Sequence, residues 1–104
     1  MSEVSELRQL LRRYGALDNE NRLRAFLAIY ENPGISFNEI ARRVGVKREL
    51  LAYHLSVLKA ADLVAMNLDR RGKAISNYQP TEEGKALMEA ILSEHELLKG
   101  RVKA

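Results

Sequence analysis

Five side chains between residues 48 and 56 are of types that form base-specific contacts. Their spacing places them on one side of a helix, in which about 3.6 residues make one turn. An arginine can donate two hydrogen bonds to guanine, a glutamate can accept one from cytosine, and an alanine can touch the methyl group of thymine. These base-reading candidates are Arg48, Glu49, Ala52, Tyr53 and Ser56.

Basic and polar side chains around the same segment are suited to contact phosphate groups. Residues 36–80 carry eight basic and four acidic side chains, a net charge of +4. Residues 1–35 and 81–104 carry net charges of zero and −1, so the basic excess lies entirely between them. Phosphate binding requires such a local excess. The expected phosphate contacts are Ser36, Asn38, Lys47, Lys59, Arg70, Arg71 and Lys73.

A short helix is predicted before the base-reading segment. Ser36 and Glu39 form a capping box, in which the serine hydroxyl accepts from the Glu39 backbone N–H and the Glu39 carboxylate reaches back to the Ser36 N–H. Apolar residues then recur at helical spacing up to Val44. Gly45 follows, and it suits the left-handed residue that ends many helices.

The second helix is predicted to begin near Lys47 or Arg48. It should end at Asp62, in a position where glycine is often found. His54 is expected to be packed and hydrogen bonded on the inner side of this helix. The apolar residues expected on the same side are Leu50, Leu51, Leu55 and Leu58.

A β-hairpin is predicted after the second helix. Val64, Met66 and Leu68 alternate with small or polar residues, as in a half-buried strand. A basic turn at residues 70–73 leads to a second strand at about 74–79.

The second strand should place Tyr78 in the core and leave Ile75 partly exposed. Pro80 is expected to end the ladder, and Thr81 to cap a last helix over residues 82–99.

The N-terminal part of the chain predicts two further helices. The first covers about residues 3–13 and ends at Tyr14-Gly15. Asp18 is a plausible N-cap for the second, over residues 19–30. Ile35 is expected to form a short strand.

The segment E-I-A-R-R-V-G-V, followed by Y-H-L-S-V-L-K-A-A-D-L-V, resembles the winged helix-turn-helix of prokaryotic regulators, especially the ArsR and MarR families. The resemblance extends less strongly over residues 18–90. It implies that the second helix is a recognition helix and that the hairpin is a wing. The expected fold is therefore mainly α with a small β-hairpin wing, a winged helix-turn-helix with extra N- and C-terminal helices.

Both terminal helices carry apolar stripes with alternating spacings of three and four residues. We expect them to form a homodimer, although both stripes could instead cover the core of one chain. The chain then divides into an N-terminal dimerisation helix at 1–17, a DNA-binding domain at 18–80 and a C-terminal dimerisation helix at 81–104. The expected dimerisation residues are Val4, Leu7, Leu11, Tyr14, Met88, Ile91, His95 and Leu98.

The leading functional hypothesis is a sequence-specific transcriptional regulator that binds double-stranded DNA. Its recognition helix would enter the major groove, and the basic wing would contact the backbone or a minor groove. Two alternatives stay open. One is an architectural chromatin-type DNA-binding protein, and the other is a winged-helix module for protein–protein interaction.

Other classes of function lack sequence support. The 104 residues include no cysteine, which excludes disulfides and thiolate zinc sites. No phosphate-binding loop or nucleophile–base motif occurs, so we expect neither an enzyme nor a cofactor. A metal at His95 would need ligands from a partner chain. No apolar run approaches the ~20 residues of a membrane span, and the N-terminus is unlike a signal peptide, so a cytoplasmic location is expected.

Overall fold

The computed structural model describes residues 2–67 and 77–102. Within these ranges the chain is mainly helical with one small antiparallel sheet, which confirms the expected fold class. The elements in chain order are α1 (Glu3–Leu17), α2 (Glu20–Glu31), β1 (Ile35–Ser36), α3 (Phe37–Val44), α4 (Arg48–Ala60), β2 (Val64–Asn67), β3 (Asn77–Pro80) and α5 (Glu82–Val102).

The ends of α3 follow from local sequence signals. The Glu39 backbone N–H donates to the Ser36 hydroxyl at 3.2 Å, and Gly45 ends the helix with a left-handed φ of 74°. The other half of the predicted capping box is replaced by ion pairs. The Glu39 carboxylate pairs with Arg42 and, at 3.5 Å, with Arg43.

Two helix boundaries differ from the sequence prediction. Helix α1 continues to Leu17 because Ala16 and Leu17 are buried in the core, and that burial favours the extra turn. Asn19, rather than Asp18, caps α2, since its side-chain oxygen accepts from the Arg22 backbone N–H at 3.0 Å.

The sheet has the strand order β1-β3-β2, with antiparallel pairing throughout. Tyr78 of β3 pairs with Ile35 on one side and Met66 on the other, and it is buried as expected. Pro80 is the last residue of the ladder, opposite Val64. The predictions for Leu68 and Ile75 lie outside the described residues.

The start of α5 packs closely against the end of α4. The Thr81 hydroxyl accepts from the Gly84 backbone N–H at 2.9 Å, as predicted for an N-cap, and donates to the Asp62 carbonyl at 2.6 Å. Asp62 itself has a φ of 60°, so it occupies the left-handed position predicted for it. These contacts fix the connection between α4 and the sheet.

One core joins the end of α1, α2, α3, α4, the sheet and the first turns of α5. Within the described ranges, no helix is both long and apolar enough to cross a membrane. The largest fully buried side chains are Phe26, Ile29, Ile40, Leu51, Leu55, Leu58, Leu63 and Met88.

Candidate nucleic-acid interface

Helix α4 has one buried and one exposed side. Leu51, Leu55 and Leu58 face the core together with His54, as expected. The opposite side contains the base-reading candidates and one lysine, and every member of this set is exposed: Arg48, Glu49, Ala52, Tyr53, Ser56 and Lys59. The helix is therefore held by its leucines and presents a polar surface to the outside.

Leu50 does not belong to the buried side, contrary to the sequence prediction. Its side chain is 43% exposed. In a helix, residues three and four positions apart lie close to one another. Leu50 therefore lies beside Tyr53, and Tyr53 lies beside the half-buried Val57, at the edge of the exposed side. Its apolar type pointed to the core, but the packing of α4 turns it outward.

Arg48 is anchored to the beginning of α3. One of its terminal N–H groups donates to the Asn38 side-chain oxygen at 2.6 Å, and its guanidinium lies 4.8 Å from the centre of the Phe37 ring. An arginine has five N–H donors, so donors remain for a base or a phosphate. The Asn38 amide also keeps its own N–H donors. The two helices of the motif thus share a polar junction at the exposed surface.

The serine hydroxyls are partly committed to local bonds. Ser56 donates to the Tyr53 carbonyl at 2.6 Å, so toward an external partner its oxygen is an acceptor. Ser36 accepts from Glu39 and keeps its own O–H as a donor. A phosphate contact from Ser36 is compatible with its role as the helix cap.

Lys47, Arg48 and Lys59 form no ion pair with any other described residue. By contrast, Arg42 and Arg43 share the carboxylate of Glu39. Three unpaired cations thus lie on α4 or at its start, while Arg8 and Arg12 of α1 and Arg22 of α2 are the other described cations without an ion pair. The wing residues Arg70, Arg71 and Lys73 lie outside the described residues.

His54 lies behind the exposed side of α4 and is only 4% exposed. Its Nδ1 accepts from the Nε–H of Arg22 at 3.3 Å, which assigns the imidazole proton to Nε2. This contact confirms the predicted hydrogen-bonded packing role. Burial lowers the pKa of His54, and the neighbouring positive charge of Arg22 lowers it further.

Arg22 is a neighbour of α4 that sequence analysis missed. Its guanidinium also donates to the Ala16 carbonyl at 3.1 Å and lies 5.8 Å from the centre of the Tyr53 ring. It is separated from His54 by 32 positions in the chain. Helical periodicity relates residues a few positions apart, so no local pattern could pair these two.

The terminal helices carry most of the exposed apolar surface. Of the large apolar side chains that are exposed in the described residues, all except Leu50 and Tyr53 lie on α1 or α5. Most of the expected dimerisation residues are among the exposed or half-buried positions of these helices: Val4, Leu7, Leu11, Tyr14, Ile91, His95 and Leu98.

Met88 does not lie on the exposed stripe of α5, contrary to the sequence prediction. Its side chain is 2% exposed and belongs to the core of the single chain. A residue that is already buried has almost no surface left to bury against a partner. The expected stripe on α5 therefore starts one turn later, at Ile91.

An open pocket of about 420 Å³ lies between the end of α1, the start of α2 and the helix α5. Apolar side chains dominate its lining, which includes Tyr14, Leu23, Ile91 and His95. Within the described part of the chain, no cluster of three or more His, Asp or Glu residues could hold a metal ion.

Comparison with known proteins identifies the fold. Residues 18–65 match the family model described as winged helix-turn-helix DNA-binding. No match was found among curated protein sequences. The structural matches show that this chain has the winged helix-turn-helix fold, as its sequence resemblance predicted.

Three solved structures illustrate the likeness. A point mutant of MepR from S. aureus, bound to an oligodeoxyribonucleotide, has a TM-score of 0.74 at 16% identity, over 95% of this chain and 76% of that one. The homodimeric DNA-binding domain of Mb0332 from Mycobacterium bovis, a possible ArsR-family transcriptional regulator, has a TM-score of 0.72 at 23% identity, over 91% and 90%. HlyU from Vibrio cholerae has a TM-score of 0.71 at 24% identity, over 88% and 94%.

Proposed function

We propose that this protein is a transcriptional regulator that binds specific sequences of double-stranded DNA. The observation that carries the proposal is the exposed polar side of α4, which is held in place by its buried leucines. An α-helix of this kind fits the major groove of B-DNA. The match of residues 18–65 to a DNA-binding family model supports the same function.

The N-terminal half of α4 enters the major groove in this proposal. Arg48 reads a base edge with the donors that its bond to Asn38 leaves free. Ser56 acts there as an acceptor, because its hydrogen is bonded to the Tyr53 carbonyl. The full base-reading set is Arg48, Glu49, Ala52, Tyr53 and Ser56.

Leu50 extends this surface with an apolar contact. A leucine at the edge of the groove can pack against a thymine methyl group or a deoxyribose, as other apolar side chains do. Its 43% exposure next to Tyr53 supports such a role.

Phosphate contacts surround the groove. Lys47 and Lys59 are exposed and have no ion-pair partner among the described residues. Asn38 contributes its side-chain N–H groups and Ser36 its hydroxyl. The wing residues Arg70, Arg71 and Lys73 contact the backbone or enter a minor groove.

Two copies of the chain bind together in this proposal. The exposed apolar stripes on α1 and α5 are buried between them, so segments 1–17 and 81–104 flank the DNA-binding domain at 18–80. Two-fold symmetry then places two α4 helices on successive major grooves, about 34–36 Å apart. The homodimeric state of Mb0332 supports this arrangement.

Selection of bound DNA from a random pool, repeated at two salt concentrations, tests the function. A regulator selects one motif with two-fold symmetry, and its affinity falls with salt. Arg48→Ala should cost about 1–3 kcal/mol and relax the preference at one position of each half-site. Lys85→Ala removes an exposed cation of α5 and is the matched control.

An interaction module is the second candidate, because Leu50 and Tyr53 form an exposed apolar pair on α4. Exposed apolar pairs can also bind protein. If DNA is bound without any selected motif, the architectural role replaces the regulator. If no DNA is bound at low salt, protein contact replaces both.

A further inference from the structure

The side chain of Arg22 connects three elements at the edge of the exposed side of α4. Its Nε–H donates to His54 Nδ1 at 3.3 Å, and its Nη1 donates to the Ala16 carbonyl at the end of α1 at 3.1 Å. The guanidinium also lies 5.8 Å from the centre of the Tyr53 ring. One half-buried side chain of α2 thus touches the end of α1 and two consecutive residues of α4.

The two hydrogen bonds fix the plane of the guanidinium. His54 is buried and the Ala16 carbonyl belongs to a helix, so neither acceptor can move freely. Tyr53, by contrast, is 57% exposed. Its ring lies 5.7 Å from the His54 ring and is tilted by 54° to it. A fixed cation over an exposed ring favours the ring position in which the two are in contact.

We infer that Arg22 is a positioning residue for DNA recognition, which acts by restraining the Tyr53 ring on the exposed side of α4. This inference rests on the proposed function. A restrained ring loses less conformational freedom when it packs against a base or a deoxyribose, so its contact contributes more to binding. Arg22 acts through Tyr53 and does not itself hold a phosphate.

A double-mutant cycle in DNA binding tests the coupling. Arg22→Gln removes the cation but keeps an amide that can donate to His54. It should weaken binding to the selected motif about two- to five-fold, the range that cation–π energies at exposed sites imply. In a Tyr53→Ala background the same substitution should have no effect. Equal losses in both backgrounds would overturn the inference.

The salt dependence distinguishes positioning from a direct phosphate contact. Arg22→Gln and the control variant Arg24→Gln should give the same slope of log affinity against log salt concentration. Arg24 is two positions away on α2, exposed and ion-paired with Glu20, and it serves as the matched control. If Arg22→Gln alone reduces the slope by about 0.9, Arg22 contacts a phosphate and the positioning role is wrong.

NMR of the free protein tests the restraint independently of any DNA. Arg22→Gln should shift the Tyr53 ring resonances and increase the ring's mobility, while those of the buried Tyr78 keep their positions. Unchanged Tyr53 resonances would overturn the inference. If the wild-type protein binds no DNA but Tyr53 responds, the proposed function fails and the restraint stands.

Discussion

The buried His54 should make the stability of this protein depend on pH. The pKa of His54 is lowered in the folded state, first by burial and then by the charge of Arg22. In its neutral form, His54 accepts a hydrogen bond at Nδ1 from the Arg22 Nε–H. Protonation would put a hydrogen on Nδ1, so that two N–H donors would face each other. The folded protein therefore favours the neutral imidazole of His54. Its neighbours are Arg22 and the Tyr53 ring.

The stability of the protein should decrease in mildly acidic solution for this reason. Above the unfolded-state pKa of about 6.5, His54 is neutral in both states and its contribution is complete. As the pH falls, the unfolded state binds the proton first, so the free energy of unfolding decreases until the pH passes below the lowered folded-state pKa. Urea denaturation between pH 7.5 and 5 measures this decrease.

The substitution His54→Asn tests whether His54 causes the decrease in the free energy of unfolding. Asparagine keeps an oxygen acceptor for Arg22 but does not titrate, so the variant should lose most of the decrease between pH 6.5 and the folded-state pKa. An identical pH profile for wild type and His54→Asn would show that another group is responsible.

The junction between α4 and α5 depends on a close backbone approach. A Cβ at Gly84 would collide with the backbone carbonyl of Leu63, and the Thr81 hydroxyl would be crowded as well. A backbone carbonyl in this position cannot move without disturbing the Thr81 N–H bond to Leu63. The glycine is thus required by packing rather than by an unusual φ.

Gly84→Ala should lower the free energy of unfolding by about 1–3 kcal/mol, as over-packing in a core does. Gly100→Ala lies in the same helix, and its Cβ would meet no atom within 4 Å. That control should be neutral or more stable by up to about 1 kcal/mol, because alanine favours the helix. Chemical denaturation of both variants decides the matter. Equal stabilities would disprove the steric role of Leu63.

The wing should add affinity that does not depend on sequence. Arg71→Ala combined with Lys73→Ala removes two cations from the turn predicted at residues 70–73, so binding should weaken for the selected motif and for random DNA alike. The slope of log affinity against log salt should become less steep by up to about 0.9 for each phosphate group that is no longer neutralised. Anisotropy titrations at several salt concentrations measure both effects. If affinity and slope are both unchanged, the wing is not part of the DNA-binding interface.

In the proposed dimer, the terminal helices would determine how many α4 helices reach the DNA. Val4, Leu7 and Leu11 are exposed along one side of α1. The exposure of such apolar side chains to water is unfavourable in free energy, and burial against a second copy would remove this unfavourable exposure. The proposed dimer therefore depends on this side of α1.

Leu11→Glu should convert the dimer to a monomer, because a charge would then be buried in an apolar interface. Gln9→Glu adds the same charge on the opposite side of α1 and should leave the dimer intact. Sedimentation equilibrium gives the masses. The monomer should also bind the full symmetric motif more weakly than the control does. A Leu11→Glu variant that stays dimeric would place the interface elsewhere.

Features that depend on residues a few positions apart could be predicted from the amino-acid sequence. The Ser36 cap, the left-handed Gly45, the capping Thr81 and the buried leucines of α4 after Leu50 were predicted correctly. Each rests on a hydrogen bond, a dihedral preference or a helical period within one or two turns. The polar side of α4, and with it most of the candidate interface, followed from the same local rules.

The surfaces that meet across the chain could be identified only from the packing of the folded protein. It placed Leu50 outside and Met88 inside, although both are apolar residues in helical stripes. It also brought Arg22 to His54 and Tyr53 from another helix. The physical reason is that burial and long-range hydrogen bonds depend on how helices pack against one another. A pattern along one helix shows that a side is apolar but not which neighbour covers it.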